Sequence, residues 1–581
     1  MSGPSPIDDH RLRFDDFDNS DIFSKKPRLP AMGWNSWNAF GSGNTEELTK
    51  AMVLKIKELG LDKLGYEYVV LDDGCYHPER IDGHLKADKV KFPSGFKAMA
   101  DFVHGSGLKF GMYNDIGTRL CSGAEVGIYG YEKTDCEDYF KWDIDFIKVD
   151  NCYYMWDNAT FADPENAKYS YAPVIKSIGI DGVTYDAANA AITGTRAEIK
   201  EDCVAFIGTF DGTAPDHSPV GLRSSEIIFE INASEDGIRD LFVTYASDAV
   251  EGAGQWLQVA VGEKTCFDAL LAPTQSRETF TVSPAIKVEL KKGANKIRIM
   301  NHRRQENTLH SYAEIRRELE NAGGRDIVFS ICEWGKTQPQ NWGHKVGDSW
   351  RILNDITFQV GSDGNHGTAA WECDYTTSIT SQYNKAVIMD EFAGLGRGWN
   401  DPDMLVIGMD GIDNIMCRSH MAMWCMMNSP LMLGVDLRRV AKGDEIYNII
   451  ANEDLIALDR DPLGIQAKRI FTTYECSEPD KEYIRDNNRI DILAKPLNDG
   501  SIALGFFNLS QEEKEVPSVS TDEILNKTGG KTVNKDLFAN AKTYRIKDLY
   551  TGEAAETESR VFGAGTLAAC DSKVIRITPV S

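Results

Sequence analysis

The stretch "DFIKVDNCY" (145–153) sets a lysine and an aspartate, Lys148 and Asp150, in an otherwise apolar run. Two residues apart, they leave an extended chain on the same side. Neither is cheap to bury without a partner. The pattern recurs along the chain. Apolar runs end in Trp37, in Asp72 and Asp73, in Tyr113 and Asp115, in Glu333 and Trp334, in Arg351 and Asp355, and in Asp403. No catalytic histidine, serine elbow or phosphate loop stands at these positions. Carboxylates that accept hydroxyl hydrogen bonds, aromatic faces that cover the apolar side of a pyranose, one lysine and one arginine are what a sugar site needs. Two carboxyl groups across a glycosidic bond can serve as nucleophile and acid/base. Plainer readings stay open for single residues. Asp72 and Asp73 are also suited to a divalent cation, Glu333 and Arg351 to an ion pair, and any lone Asp to a turn or helix cap. Caps account poorly for so many charged groups in one recurring position.

The elements that position them follow a rhythm that starts near residue 28. "YEYVVLDDG" is followed by the helix-like "SGFKAMADFVHGSG", and "LKFGMYND" and "DFIKVDNCY" flank the helical "YEKTDCEDYFKW". Strands alternating with helices predict βαβ units and a parallel sheet. After a break, "RDIVFSICEWG", "SWRILNDI", "GWNDPDMLVIG" and "PLMLGVDL" continue it. With "RLPAMGWNSW" that makes eight strand candidates, the number for a (β/α)8 TIM barrel, whose site lies at the C-terminal strand ends. The break, from about 176 to 306, alternates with period two, as in "SEIIFEINA" and "NKIRIMN". It predicts an inserted β-sandwich. Alternation returns after "LDRDPLG" and predicts a C-terminal antiparallel β-sandwich domain. The predicted organisation is an N-terminal segment 1–27, barrel 28–173, insert 174–308, barrel 309–464 and C-terminal domain 465–581.

A formal net charge of -26 argues against nucleic-acid or anionic-membrane partners, which need basic surface, and suits a neutral substrate. The N-terminus "MSGPSPIDDHRLRFDDFDNS" has no apolar signal region, and no stretch approaches the roughly 20 apolar residues of a membrane span. The 12 cysteines show no CxxC pairing. These features predict a soluble, cytoplasmic chain with no metal or other cofactor.

The segments "GWNSWNAFG", "LDDGCY", "GMYNDIGTRLCSG", "IKVDNCY", "CEWG", "GWNDPDML" and "DPLG" resemble, in order, the signatures of glycoside hydrolase family 27, the α-galactosidase (melibiase) family. The resemblance covers about 28–173 and 309–581. It implies a retaining double displacement, with Asp150 as nucleophile and Asp355 as acid/base. It implies substrate contacts from Trp37, Asp72, Asp73, Tyr113, Lys148, Glu333, Trp334, Arg351 and Asp403. Lys148 is expected to keep the nearby carboxylates ionised. Glu333, on the side of the 2-hydroxyl, favours plain galactose. The implied partner is a galactose-containing oligosaccharide or glycoconjugate, and a homo-oligomer stays open. Cys121 and Cys152 match a pair that is bridged in secreted members. Where the family commonly reads Asp-Asp-Cys-Trp, this chain has an added Gly74 before Cys75 and Tyr76. The insert, with "YDAANAAITGTRAEIKEDC", resembles a carbohydrate-binding module. A sandwich that only packs on the barrel or builds a dimer contact is the other reading. Within the family, a β-L-arabinopyranosidase or α-N-acetylgalactosaminidase is the alternative. Outside it, the alternative is a non-catalytic sugar-binding protein.

Overall fold

The computed structural model describes residues 2–3, 25–153, 173–193, 197–205, 207, 225–247, 256–276, 278–301, 304–323, 326–357, 359–373 and 377–580. Eight short strands form its centre: β1 (Met32–Asn35), β2 (Tyr68–Val70), β3 (Lys109–Asp115), β4 (Phe146–Asp150), β5 (Val328–Cys332), β6 (Ser349–Arg351), β7 (Trp399–Asp401) and β8 (Leu431–Leu433). Neighbours follow chain order from β1 to β7, and β8 lies beside β1. The ring closes where Leu405, just past β7, forms a parallel bridge to Leu433. The Leu405 amide donates to the Met432 carbonyl at 2.8 Å, and the Gly434 amide donates to the Leu405 carbonyl at 3.0 Å. This is the barrel that the rhythm of the sequence predicts.

The alternation along β4 decides which side chains reach the barrel axis. Ile147 and Val149 belong to the large core beneath the helices. Phe146 instead joins Tyr68, Val70, Val328, Met404 and Met432 in a separate cluster. Lys148 and Asp150 share the inner face with Phe146 by the two-residue period. Register sets Tyr113 and Ser330 on either side of Lys148, and Asp115 and Cys332 on either side of Asp150.

The outer layer holds α1 (Glu46–Leu59), α2 (Phe96–Gly105), α3 (Glu132–Trp142), α4 (Arg304–Gly323), α5 (Ile379–Ala386) and α6 (Asn414–Met426). Helix α1 shows how the sequence sets these limits. The Thr45 side chain accepts from the Leu48 amide at its start, and Gly60 ends it in a left-handed conformation. Between β5 and β6 the described residues hold two 3-10 turns, Pro339–Asn341 and Gly343–Lys345, in place of an α-helix. Strand β7 is shorter than the run "GWNDPDMLVIG" suggests. Pro402 follows it without an amide hydrogen, and Asp403 turns to φ 77. Helix α6 buries Cys417, Met421, Met423, Trp424 and Met426 alike. From Ser419 onward it is buried all round, with the barrel core on one side and the C-terminal sheet on the other.

Between β4 and α4 the chain forms two antiparallel sheets. One includes Val174–Ile180, Gly237–Ala246 and Ile286–Leu290; the other includes Glu226–Ala233, Trp256–Val261 and Gly293–Met300. Their facing residues, from Ile175 to Ile299, make a core that contains no barrel residue. After α6 and β8, a six-stranded antiparallel sheet includes Ile490–Pro496, Ile502–Asn508 and Ser572–Val580. One face builds its own core with Ile524 and Phe538. Leu493, Phe507 and Val574 belong instead to the barrel's core. Most of the predicted segment 1–27 lies outside the described residues. No helix among the described residues is long and apolar enough to cross a membrane.

Candidate active site

The lysine of the opening stretch is paired. Lys148 Nζ lies 2.8 Å from Asp72 Oδ2, with both side chains buried at the end of the barrel. Asn35 Nδ2 donates to the same oxygen at 2.8 Å, and the Asp73 amide donates to Oδ1 at 2.9 Å. Burial alone would strip the Lys148 proton. The carboxylates of Asp72, Asp150 and Asp355 outweigh it and hold the ammonium well above its usual pKa.

Asp150 Oδ2 accepts the Tyr113 hydroxyl at 3.3 Å, and Oδ1 accepts the Asn151 amide at 3.0 Å. Burial raises the pKa of this carboxyl, Lys148 opposes the rise, and Asp355 and Asp72 add to it. Lys148 thus acts on Asp150 in the expected direction, toward the ionised form, against a larger effect of burial. Desolvation outweighs one lysine that already serves Asp72. Asp355 is partly exposed and is also pushed up, first by burial and then by Asp403, against Arg351. Two carboxyls in one field titrate as a pair.

A cavity of about 290 Å³ brings together Trp37, Asp72, Asp73, Tyr113, Lys148, Asp150, Trp334 and Asp355. Trp334 takes the left-handed φ 58, and Lys336 Nζ stands 3.8 Å from the centre of its ring. Strained backbone of this kind gathers at functional sites. Three of the nine contacts implied by resemblance fall elsewhere. Glu333 is buried and accepts the Thr337 amide at 2.8 Å and hydroxyl at 2.7 Å, away from the cavity wall. Arg351 and Asp403 line a smaller cavity of about 30 Å³, too small for a sugar. Asp403 acts on the backbone. Its Oδ2 accepts the Ile356 amide at 2.8 Å and meets Arg351 Nη2 at 2.9 Å. Arg351 Nη2 also donates to Asp355 Oδ1 at 3.1 Å. The pair thus fixes Asp355 from both its side chain and its following peptide.

Gly74 sits at φ 91, and a Cβ there would come within 2.6 Å of the Ser42 Cα. The added residue is a backbone necessity of this turn. Tyr76 then packs in the core and donates to the Tyr113 carbonyl at 2.6 Å, so it does not wall the cavity. Cys121 and Cys152, whose bridging the sequence left open, form a disulfide. Asp115, Cys121, Asp150 and Cys152 place ligand-type atoms within 4.8 Å of one another among the described residues. Two of those atoms are the bonded sulfurs, so they offer no thiolate.

Sequence reasoning missed Ser122, Asn354, Thr357 and Val360 on the cavity wall. Ser122 matters most, because its amide and hydroxyl bond Asp73 at 2.7 and 2.8 Å. Asp73 still rises to about 6, chiefly through burial. Asn35 was legible, two residues before Trp37 in "GWNSWN" and on the inner face. Tyr312 had no such signal. It lies on α4, after the insert, and its hydroxyl reaches the Val149 and Asp150 carbonyls at 3.2 and 3.3 Å.

A family profile described as "Alpha galactosidase A" matches residues 29–173 and 280–461. A second, "Alpha galactosidase C-terminal beta sandwich domain", matches 487–577. The first resumes at 280, within strands that the structure assigns to the inserted sandwich. The chain is 25% identical over 542 residues to α-galactosidase A of Cellvibrio japonicus, covering 92% of this chain and 89% of that protein. It is 26% identical over 536 residues to an α-galactosidase of Cyamopsis tetragonoloba, covering 92% and 84%. The crystal structure of α-galactosidase I from Mortierella vinacea shares the fold, with a TM-score of 0.59 at 20% identity, covering 95% of this chain and 97% of that one.

Proposed function

The chain belongs to the alpha galactosidase A family of glycoside hydrolases, and we propose that it removes terminal α-D-galactosyl residues from oligosaccharides with retention of configuration. Asp150 is the nucleophile and Asp355 the acid/base. The observation that carries this reading is that the two carboxyls share one cavity while their surroundings differ. Asp150 lies buried on the inner face of β4, aligned by the Tyr113 hydroxyl. Asp355 is partly exposed and held by Arg351. A nucleophile must be fixed and stripped of water, whereas an acid/base must reach the leaving group and then an incoming water.

In the first half-reaction Asp355 protonates the departing oxygen while Asp150 attacks the anomeric carbon. In the second, Asp355 deprotonates water and the ester to Asp150 breaks. Burial pushes the Asp355 carboxyl up, which favours its protonated form at the start. Lys148, charged and anchored on Asp72, favours the ionised form of Asp150. Asp72, Asp73 and Lys148 bind the galactose hydroxyls, and Trp37 and Trp334 cover its apolar side. Glu333 makes no direct sugar contact in this reading.

Proton NMR of the first product decides the stereochemistry. Hydrolysis of nitrophenyl α-D-galactopyranoside is expected to release α-galactose before mutarotation. Release of β-galactose would mean a single inversion and would sink the nucleophile assignment.

A further inference from the structure

The disulfide lies against two carboxylates. Its two sulfurs, Asp115 and Asp150 bring four ligand atoms within 4.8 Å of one another. Their backbone supports do not depend on the sulfur–sulfur bond. Asp115 Oδ2 accepts the Cys152 amide at 2.6 Å, and Oδ1 accepts the Gly117 amide at 2.7 Å. The neighbour of Cys121 is tied independently, because Ser122 bonds Asp73 through both amide and hydroxyl. Breaking the disulfide therefore leaves both cysteines anchored near the two carboxyls. Their Cα atoms stand 5.3 Å apart.

We propose that reduction of Cys121–Cys152 creates a Cys2Asp2 site for a borderline-soft divalent ion such as Zn²⁺, and that the ion blocks the enzyme by taking Asp150. Two thiolates and two carboxylates are a tetrahedral donor set for zinc, with bonds of about 2.3 Å to sulfur and 2.0–2.2 Å to oxygen. The unreduced site cannot bind it, since both sulfurs spend their valence on each other. Adjacent buried carboxyls are a standing cost that a cation would remove. Cys121 and Asp150 both line the cavity, so reductant and ion share the substrate's route. With a phosphine reductant the chemistry balances. The phosphine cleaves the disulfide, water supplies the oxygen of the phosphine oxide and two protons, and two thiols result. Zinc then displaces the thiol protons and binds the carboxylates as anions. The inhibition rests on Asp150 being the nucleophile; the binding does not.

The test uses the full chain, treated with or without a phosphine and then with zinc or cobalt. The reduced protein is expected to retain one zinc per chain after desalting and to lose activity in step with occupancy. A chelator should restore it. Cobalt in the same site should show a thiolate-to-metal charge-transfer band. The unreduced protein should bind neither. Cys121→Ser with Cys152→Ser should abolish the retained metal, which separates this site from the other free cysteines. Asp150→Asn should weaken zinc retention without removing the thiolate band. Equal zinc in reduced and unreduced protein, or retention by the double serine variant, would overturn the proposal. Both metal readouts work without substrate. One retained zinc with no loss of galactosidase activity would keep the site but overturn its blockade of Asp150.

Discussion

Two buried charge clusters in this molecule were built to opposite ends. In the C-terminal sheet Asp491 is fully buried, and Arg489 Nε contacts both its oxygens at 3.1 Å. Arg469 Nη1 reaches it at 3.3 Å, and the Tyr383 hydroxyl donates to it at 3.1 Å. Burial alone would raise its pKa, but the two guanidiniums lower it. At the barrel mouth Asp150 is buried as well, but Lys148 beside it is shared with Asp72, and its pKa is raised. A compensated charge is a fastening. An undercompensated one is held ready for a charge change during reaction, which is how perturbed groups mark functional sites.

The contrast predicts a separation of effects. Asp150→Ala is expected to cost about 10⁴-fold or more in kcat, as removal of a nucleophile does, with no loss of folded protein. Steady-state kinetics with nitrophenyl α-D-galactopyranoside measures it, and near-normal turnover would break the comparison at its functional end. Asp491→Ala should do the reverse. Two guanidiniums left without their carboxylate cost roughly 3–5 kcal/mol of stability, read by denaturant unfolding. The folded fraction should keep its turnover.

A smaller effect concerns the sugar itself. Galactose and L-arabinopyranose differ only in the hydroxymethyl group. By the family resemblance Asp72 faces the 6-hydroxyl, and with that partner missing the arabinoside is expected to lose about 1–3 kcal/mol. That is one to two decades of kcat/KM between the two nitrophenyl glycosides. An equal or higher value for the arabinoside would assign the cavity to the alternative sugar. The smallest effect tests the sign of the Asp150 shift. A raised folded pKa means that wild-type stability falls as pH rises, from the ordinary 3.8 through to about 7. Asp150→Asn should therefore melt a few degrees higher than wild type at pH 8 and no higher at pH 3. A variant that melts lower at pH 8 would show that Asp150 is compensated after all.

Much of this was legible because strand periodicity carries side-chain direction. Lys148 and Asp150 had to share a face, and eight such runs had to close a barrel. The carboxylates of the cavity were read from their place at or just past the ends of apolar runs, and their roles from the family resemblance. The contacts of Glu333, Arg351 and Asp403 were not legible, because what they touch is set by turns. Thr337 reaches Glu333 through a loop, and Asp403 meets Ile356 only because its backbone takes φ 77. The net shift of Asp150 was not legible for a related reason. Sequence names a neighbour but not how many carboxylates share it. Ser122 and Tyr312 act through contacts that neither periodicity nor composition encodes.

The insertion point between β4 and α4 also bears on how the chain is made. Phe146 and Val328 pair directly in the barrel, yet the whole sandwich is synthesised between them. The N-terminal half of the barrel thus leaves the ribosome with an unpaired edge at β4. An open parallel edge that waits for a distant strand invites wrong pairing. The cost of closing the gap grows with the logarithm of the free chain between the partners. A sandwich that folds first, around its own core from Ile175 to Ile299, replaces most of that free chain with a compact body. Synthesis order thus makes the insert a folding partner of the catalytic barrel, and slow folding of the sandwich would appear as aggregation of the barrel.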